Sequence, residues 1–311
     1  VHLIIDADPI CYRAGFAAES ASYHLVMEDP VSGIYEVLFE PYDGKTAGAR
    51  MQKWISDHPD DVVLDKTKQV TAEPEENALE ATRTQVYSIE KECAEHFGLH
   101  EFSQITIILS GPGNYREKLA TIFPYKGNRD PAHKPVWYQS IRNYLTSQWG
   151  AAVVHGREAD DECSILAHAS EPGSYIIATI DKDLDQIPGH HFNYMKSVFH
   201  AQSEQSAYNF FVRQALSGDA TDGIPGCYKL GAIRAARIAD DLAGLSRADT
   251  WTGIVAAYEE SKRRANCPYM DREAEAVALE TARLVYLQQK EGELWIPTGP
   301  PHDLLPEYRD E

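Results

Sequence analysis

Four short stretches of this chain carry carboxylates in positions where chemistry is expected. Asp6 and Asp8 close the first apolar run, LIIDAD; Glu158, Asp160 and Asp161 lie in GREADDE; Asp181 and Asp183 follow YIIATI; Asp219 and Asp222 lie in SGDATDGIPG. Any one Asp after a strand is more often a helix cap or a turn residue than a ligand. Acids at corresponding positions in four places point to a shared site. Carboxylates brought together repel and raise one another's pKa. Hard divalent cations with oxygen ligands, Mg²⁺ or Mn²⁺, relieve that conflict. The chemistry implied is metal-dependent cleavage of a phosphodiester. Asp8, Asp161, Glu162 and Asp185 have less positional support. On an ideal helix Glu158 and Asp161 share a face while Asp160 does not, so Glu158 and Asp160 reach one site only if the helix begins beside them.

The elements that must position these acids alternate between strand and helix. Buried strands are expected at 2–6, 105–109, 151–154 and 175–180, with a fifth near 192–195, and a helix from about Glu158 to His168. This pattern predicts an α/β fold with a mostly parallel central sheet flanked by helices. In such sheets ligands bind beyond the carboxyl ends of the strands, where Asp6, Ser110, GREADD and Asp181 fall. Residues 22–42 read as a hairpin, 45–54 as a short helix, 62–64 as a short strand and 73–97 as a long helix. After about Ser203 the pattern becomes helical, with a Gly-rich turn and helices at 232–243, 247–260 and 271–289.

Composition narrows the class. A chain of 311 residues with 43% hydrophobic and 25% charged residues fits one large or two medium globular domains. The five cysteines have no CxxC spacing, which argues against structural zinc and a disulfide framework and for a reducing cytosol. No apolar run suffices to span a membrane, and no signal peptide is read; a cytoplasmic protein is expected. The net charge of −19 argues against a general nucleic-acid coat. A basic stripe nevertheless runs through Arg116, Lys118, Lys126, Arg129, Lys134 and Arg142, as a phosphate-backbone site requires. His190 and His191 read as turn residues, since His is not the ligand that a magnesium-type site needs.

The segments DADPICYRAGFA, IFPYKGNRD, EADD, TIDKD and GDATDGIPGCYKLGAIRAARI, in this order, resemble the flap-endonuclease and 5′-exonuclease family. The likeness is greatest to phage-encoded 5′–3′ exonucleases, with the 5′-nuclease domain of bacterial DNA polymerase I more distant. It covers most of 1–20 and 105–245 and extends to ETARLVYLQQKEGELWIP. It implies a PIN-like nuclease core over 1–202 with a helical arch at about 115–142. A helical duplex-binding region over 203–311 would contain a helix–three-turn–helix at about 208–240. It also implies two divalent ions held or approached by Asp6, Glu158, Asp160, Asp161, Asp181, Asp183, Asp219 and Asp222, with Asp6 and Asp181 central to catalysis. Lys126 and Arg129 would act at the scissile phosphate. Arg13 would bind phosphate, and Tyr125 would stack on an unpaired base. Gly226, Lys229, Gly231, Arg234 and Arg237 would hold duplex backbone at a helix N-terminus, in a turn where the family often carries K⁺. The implied partner is DNA with 5′ ends or flaps, acted on by a monomer working beside replication proteins, in the host cytoplasm if phage-encoded. The products would carry 5′-phosphate and 3′-hydroxyl ends.

One departure stands out. The family often has another Asp just after the second strand, where this chain reads LSGPGNYR with Gly111 at about that place. Two rival readings follow from the residues. One is an aspartyl-nucleophile phosphatase built on LIIDAD, which leaves GDATDGIPG and the basic stripe unexplained. The other is a non-catalytic binder of branched DNA.

Overall fold

The computed structural model describes residues 1–41, 47–128 and 134–297, together with the backbone of Asp303–Leu304. The elements run β1 (His2–Asp6), α1 (Asp8–Ala17), β2 (Glu19–Asp29), β3 (Gly33–Phe39), α2 (Ala47–Asp57), β4 (Val62–Ala72), α3 (Glu75–Phe97), β5 (Gln104–Ser110), α4 (Tyr115–Leu119), α5 (Tyr138–Trp149), β6 (Ala152–Val154), α6 (Ala159–His168) and β7 (Tyr175–Ala178). A short 3-10 helix (Lys182–Gln186) then precedes β8 (Gly189–Asn193), β9 (Val198–Gln202), α7 (Glu204–Ser217), the ribbon β10 (Gly218–Asp219) and β11 (Ile224–Pro225), α8 (Ala232–Leu242), α9 (Arg247–Lys262) and α10 (Ala274–Val285). Two compact units are formed, one from Val1–Pro9, Ser88–Ala132 and Leu145–Glu311, the other from Ile10–Tyr87 and His133–Tyr144. The boundary expected near residue 202 falls inside the first unit.

The first unit is built on a six-stranded sheet of order β6-β5-β1-β7-β8-β9. All neighbours are parallel except β8 and β9. The expected α/β architecture is therefore present. Its central strands are apolar because both faces are covered: Leu3, Ile4 and Ile5 of β1 are fully buried, and every residue of β7 is buried. Parallel register brings the carboxyl ends of β5, β1 and β7 to one edge, with Asp6 opposite Ile108 and Ile5 opposite Ala178. α6 packs against β1 and β5, which sets its N-terminus beside that edge.

In the same unit, α7 to α10 surround a second core that includes Phe211, Trp251, Tyr258 and Ala278. Its buried tyrosines keep their hydroxyls paired: Tyr258 donates to the Ala215 carbonyl at 2.7 Å and Tyr269 to the Gly226 carbonyl at 2.8 Å. Between α7 and α8 the chain turns so tightly that glycine is required. A Cβ on Gly226 would lie 2.1 Å from the Ser217 carbonyl carbon, and Gly218, at φ +65°, would meet the Ile224 oxygen at 2.3 Å.

The second unit holds an antiparallel sheet of order β3-β2-β4. The expected hairpin is β2–β3, and α2 covers one face through Leu25, Met27, Phe39, Ala47 and Met51. The strand expected at 62–64 extends to Ala72 and pairs along β2. Every residue of β4 is exposed, so burial imposes no alternation on its sequence.

Candidate active site

Each acid reaches its place by a local rule. Asp6 is the last residue of β1 and only 2% exposed. One of its carboxylate oxygens accepts the Thr179 hydroxyl at 2.9 Å and the other accepts the Asp8 N–H at 3.3 Å. Burial first, then the neighbouring charge of Asp8, pushes the Asp6 carboxyl up to about 8. Thr179 in turn accepts the Asp181 N–H at 3.0 Å, and Asp181 caps the 3-10 helix by accepting the Asp183 N–H at 2.9 Å. The TIDKD segment thus ties the ends of β1 and β7 into one hydrogen-bonded run.

The condition set for α6 is met. The helix begins at Ala159, and Glu158 stands before it in extended backbone, at φ −91° and ψ 164°. The Ala159 N–H is held at 2.9 Å by the Ser110 hydroxyl. Glu158 and Asp160 therefore both line a cavity of about 20 Å³, together with Asp183, Asp219, Asp222, Tyr125 and Arg116. A space of that size suits one water or ion. Asp160 has its pKa raised well above the ordinary carboxylate range, by burial first and then by the charges of Asp6, Asp181 and Glu158. Asp183 is pushed up to about 7 by burial and by Asp181 and Asp219. Its Oδ1 accepts the Gln214 side-chain amide at 2.8 Å. The acids form one continuous set: Asp160 feels the charges of Asp6, Asp181 and Glu158, and Asp183 those of Asp181 and Asp219.

Cations enter this set at two places. Lys126 forms an ion pair with Glu158 and lies 3.6 Å from Asp222. Its backbone adopts φ +54°, and its N–H donates to the Asp222 carbonyl at 2.7 Å. The PYKGN loop is fastened to the DATDG turn again by Asn128, whose amide donates to the Ala220 carbonyl at 2.9 Å. Burial would raise the Glu158 pKa, but the Lys126 and Arg116 charges outweigh it and hold Glu158 below its ordinary value.

Tyr125, expected to stack on a base, has its hydroxyl at the acids. Its hydroxyl lies 2.8 Å from Glu158 and 3.0 Å from Asp222. One hydroxyl proton serves only one of the two carboxylates at a time, and Lys126 supplies the positive charge beside both.

Asp161 differs from expectation. It is fully buried, and both oxygens are taken by Arg116 at 2.6 and 2.9 Å. Arg116 is 2% exposed and donates further to the carbonyls of Leu284 and Tyr286 at 2.8 Å each. Asp161 is thereby part of a buried clamp rather than of the carboxylate set lining the cavity. Arg116 appeared in the sequence only as one member of a basic stripe. Gln214 carried no sequence signal; Thr179 lies inside TIDKD and Ser110 at a strand end, but their hydrogen bonds to the site appear only in the structure.

At Gly111 the absence of an Asp has a physical reason. A Cβ there would lie 2.2 Å from the Val154 carbonyl oxygen, which accepts the Gly111 N–H at 2.6 Å. The neighbouring Ser110 N–H is held at 3.1 Å by Asp8.

The remaining expected residues lie as follows. Arg13 is exposed on α1 in the second unit, and Arg129 falls outside the described residues. Lys229, at φ +58°, and Gly231, which precedes α8, are exposed, as are Arg234 and Arg237 on that helix. Arg234 lies 4.0 Å from Glu260. Among the described residues, no helix is long and apolar enough to cross a membrane.

In fold, this chain is similar to the flap endonuclease of bacteriophage T5. A complex of that protein with DNA and metal ions, described as a pseudo-enzyme–product complex, matches at 16% identity and a TM-score of 0.45, over 65% of this chain and 79% of that one. The T5 protein co-crystallised with metal ions matches at 14% identity and a TM-score of 0.48, over 91% and 88%. The T5 5′-exonuclease with bound zinc matches at 17% identity and a TM-score of 0.44, over 65% and 80%. No protein-family model and no curated protein matches the sequence.

Proposed function

We propose that the chain is a metal-dependent 5′–3′ exodeoxyribonuclease and 5′-flap endonuclease of the kind its motifs resemble. The observation that carries this reading is the convergence of Glu158, Asp160, Asp183, Asp219 and Asp222 on one small cavity beside Lys126 and Tyr125. The donors are carboxylate oxygens whose mutual repulsion is only partly offset by protein cations. That set fits hard divalent ions, Mg²⁺ or Mn²⁺. Asp6, Asp160 and Asp181 with Glu158 would hold one, and Asp183, Asp219 and Asp222 a second. When bound, such ions supply Lewis-acid polarisation of the phosphodiester and a lowered pKa for an attacking water.

The chain's own residues do the rest. Thr179 and Gln214 orient Asp6 and Asp183. Lys126, whose ammonium is held by carboxylates, is placed to exchange them for a scissile phosphate and to offset charge developing on it. Arg129 and Arg13 would add phosphate contacts. Lys229, Arg234 and Arg237, with the backbone N–H groups at Gly231, would grip duplex backbone without reading sequence, with Gly226 shaping the turn and K⁺ bound there as in the family. On this reading 1–202 is the nuclease core and 203–311 the duplex-binding region of a monomer that acts on 5′ ends or flaps, a phage-type role beside replication proteins. The phosphatase alternative is weakened by Asp6 itself: a carboxyl that is buried, hydrogen-bonded on both oxygens and raised to about 8 is poorly placed to attack phosphorus.

The test is cleavage of a 5′-flap duplex and a blunt duplex, each labelled at either end, with Mg²⁺, Mn²⁺ or chelator, beside Asp181→Ala. Metal-dependent products from the 5′ side, lost in the variant, are expected, and their sizes separate trimming from flap removal. Tight, structure-selective binding without cleavage at saturating Mn²⁺ would instead establish a binder of branched DNA.

A further inference from the structure

Beyond the carboxylate set, three side chains of other chemistry converge. Asp185 comes from the 3-10 helix, His191 from β8 and His200 from β9, and one potential ligand atom of each lies within 4.8 Å of the other two. His191 and His200 are direct partners in the antiparallel register of β8 and β9, so their side chains leave the sheet on one face. Their rings stack with centroids 5.0 Å apart. The Nε2 of His200 lies 2.7 Å from Asp185 Oδ1.

The His191 ring is fixed in place. It is 1% exposed, and its Nε2 lies 2.8 Å from the Ile187 carbonyl. A carbonyl only accepts, so Nε2 carries the hydrogen, and in the neutral ring Nδ1 keeps its lone pair. Fixing the imidazole tautomer through the opposite ring nitrogen is the usual support of a metal-bound histidine. Asp185 and His200 retain 26% and 37% side-chain exposure, leaving room for a water ligand. Two imidazoles and one carboxylate select borderline ions of the Zn²⁺ type over Mg²⁺, which prefers oxygen alone.

We propose that Asp185, His191 and His200 bind a single transition-metal ion of the Zn²⁺ class, at a site separate from the carboxylate set. The ion would fasten the β8–β9 hairpin to the 3-10 helix whose first turn carries Asp183. This inference rests on the geometry of these three residues and is independent of the nuclease reading.

The experiment uses the full chain, stripped with chelator, and Zn²⁺ alone as the probe, titrated against a chromophoric competitor; Co²⁺ absorption reports the ligand set. Asp6→Asn/Asp160→Asn weakens the carboxylate set, while Asp185→Asn and His200→Ala address the proposed site at partly exposed positions. One Zn²⁺ is expected per chain in the Asp6/Asp160 variant, unaffected by excess Mg²⁺. In His200→Ala and Asp185→Asn the affinity falls at least ~10-fold, with unchanged circular dichroism. Zn²⁺ affinity equal to that of the unaltered chain in both His200→Ala and Asp185→Asn, or lost in the Asp6/Asp160 variant, overturns the proposal and leaves Asp185–His200 as an ordinary surface ion pair.

Discussion

At the scale of single residues, the site is a balance of charge. A carboxyl raised from 3.8 to about 8, as in Asp6, holds its proton in the folded chain at pH values where the unfolded chain has lost it. The folded state then binds more protons than the unfolded between those limits, and its stability falls as pH rises through them. Asp183, raised to about 7, acts in the same direction. Stripped of divalent ions, the protein is expected to melt at progressively lower temperature from pH 5 to pH 8. Mg²⁺ should flatten that slope, and scanning calorimetry at several pH values measures it. A slope unaltered by Mg²⁺ would mean that these acids do not hold the ion. Lys126 offers a second prediction. Lys126→Met should lower the single-turnover cleavage rate by roughly 10²–10³, with a smaller effect on duplex affinity. The acids themselves were legible because their positions follow the periodicity of strand and helix. Their supports were not. Arg116 reaches Asp161 across 45 residues of sequence, and nothing local distinguishes it from the other basic residues of its stretch. The contacts of the Tyr125 hydroxyl with Glu158 and Asp222 were not legible either, because sequence does not show where a hydroxyl points.

At the scale of elements, the position of α6 depends on one buried arginine. Arg116 on α4 joins Asp161 on α6 to the carbonyls of Leu284 and Tyr286 at the end of α10. Removing one partner of a buried pair leaves an uncompensated charge, which costs about 3–5 kcal/mol. Arg116→Leu should lower unfolding stability by that amount in urea titration. Arg116→Lys should recover little, because one ammonium cannot reproduce the two-pronged contact. The parallel sheet and the helices of the second half were readable because burial writes itself into apolar runs such as HLIID and YIIA. β4 was read only in its first three residues because its strand is exposed throughout, and pairing with β2 rather than burial defines it. β9 went unread for a related reason: its residues are exposed or half-buried, without a buried position. Gly111 shows the opposite limit. Its lack of a carboxylate was visible in sequence, but the cause, a backbone carbonyl where a Cβ would sit, is a fact of tertiary structure.

At the scale of the whole molecule, a net charge of −19 sets a constraint on any polyanionic substrate. The acids of the site add local repulsion to that long-range field. The exposed basic residues Lys229, Arg234 and Arg237 offset it only at one helix terminus. Duplex binding should therefore depend on divalent ions for more than chemistry. Affinity for a 5′-flap duplex, measured by fluorescence anisotropy at constant ionic strength, is expected to fall at least ~10-fold when Mg²⁺ is replaced by chelator, a coupling of about 1.4 kcal/mol. Asp181→Ala should bind more tightly than the unaltered chain in chelator, since one repelling charge is gone. In saturating Mg²⁺ the two should differ less. Raising monovalent salt should weaken binding further, because Lys229, Arg234 and Arg237 neutralise phosphates. A steep slope combined with indifference to chelator would place the weight of binding on basic residues alone and remove the acids from the DNA-binding surface.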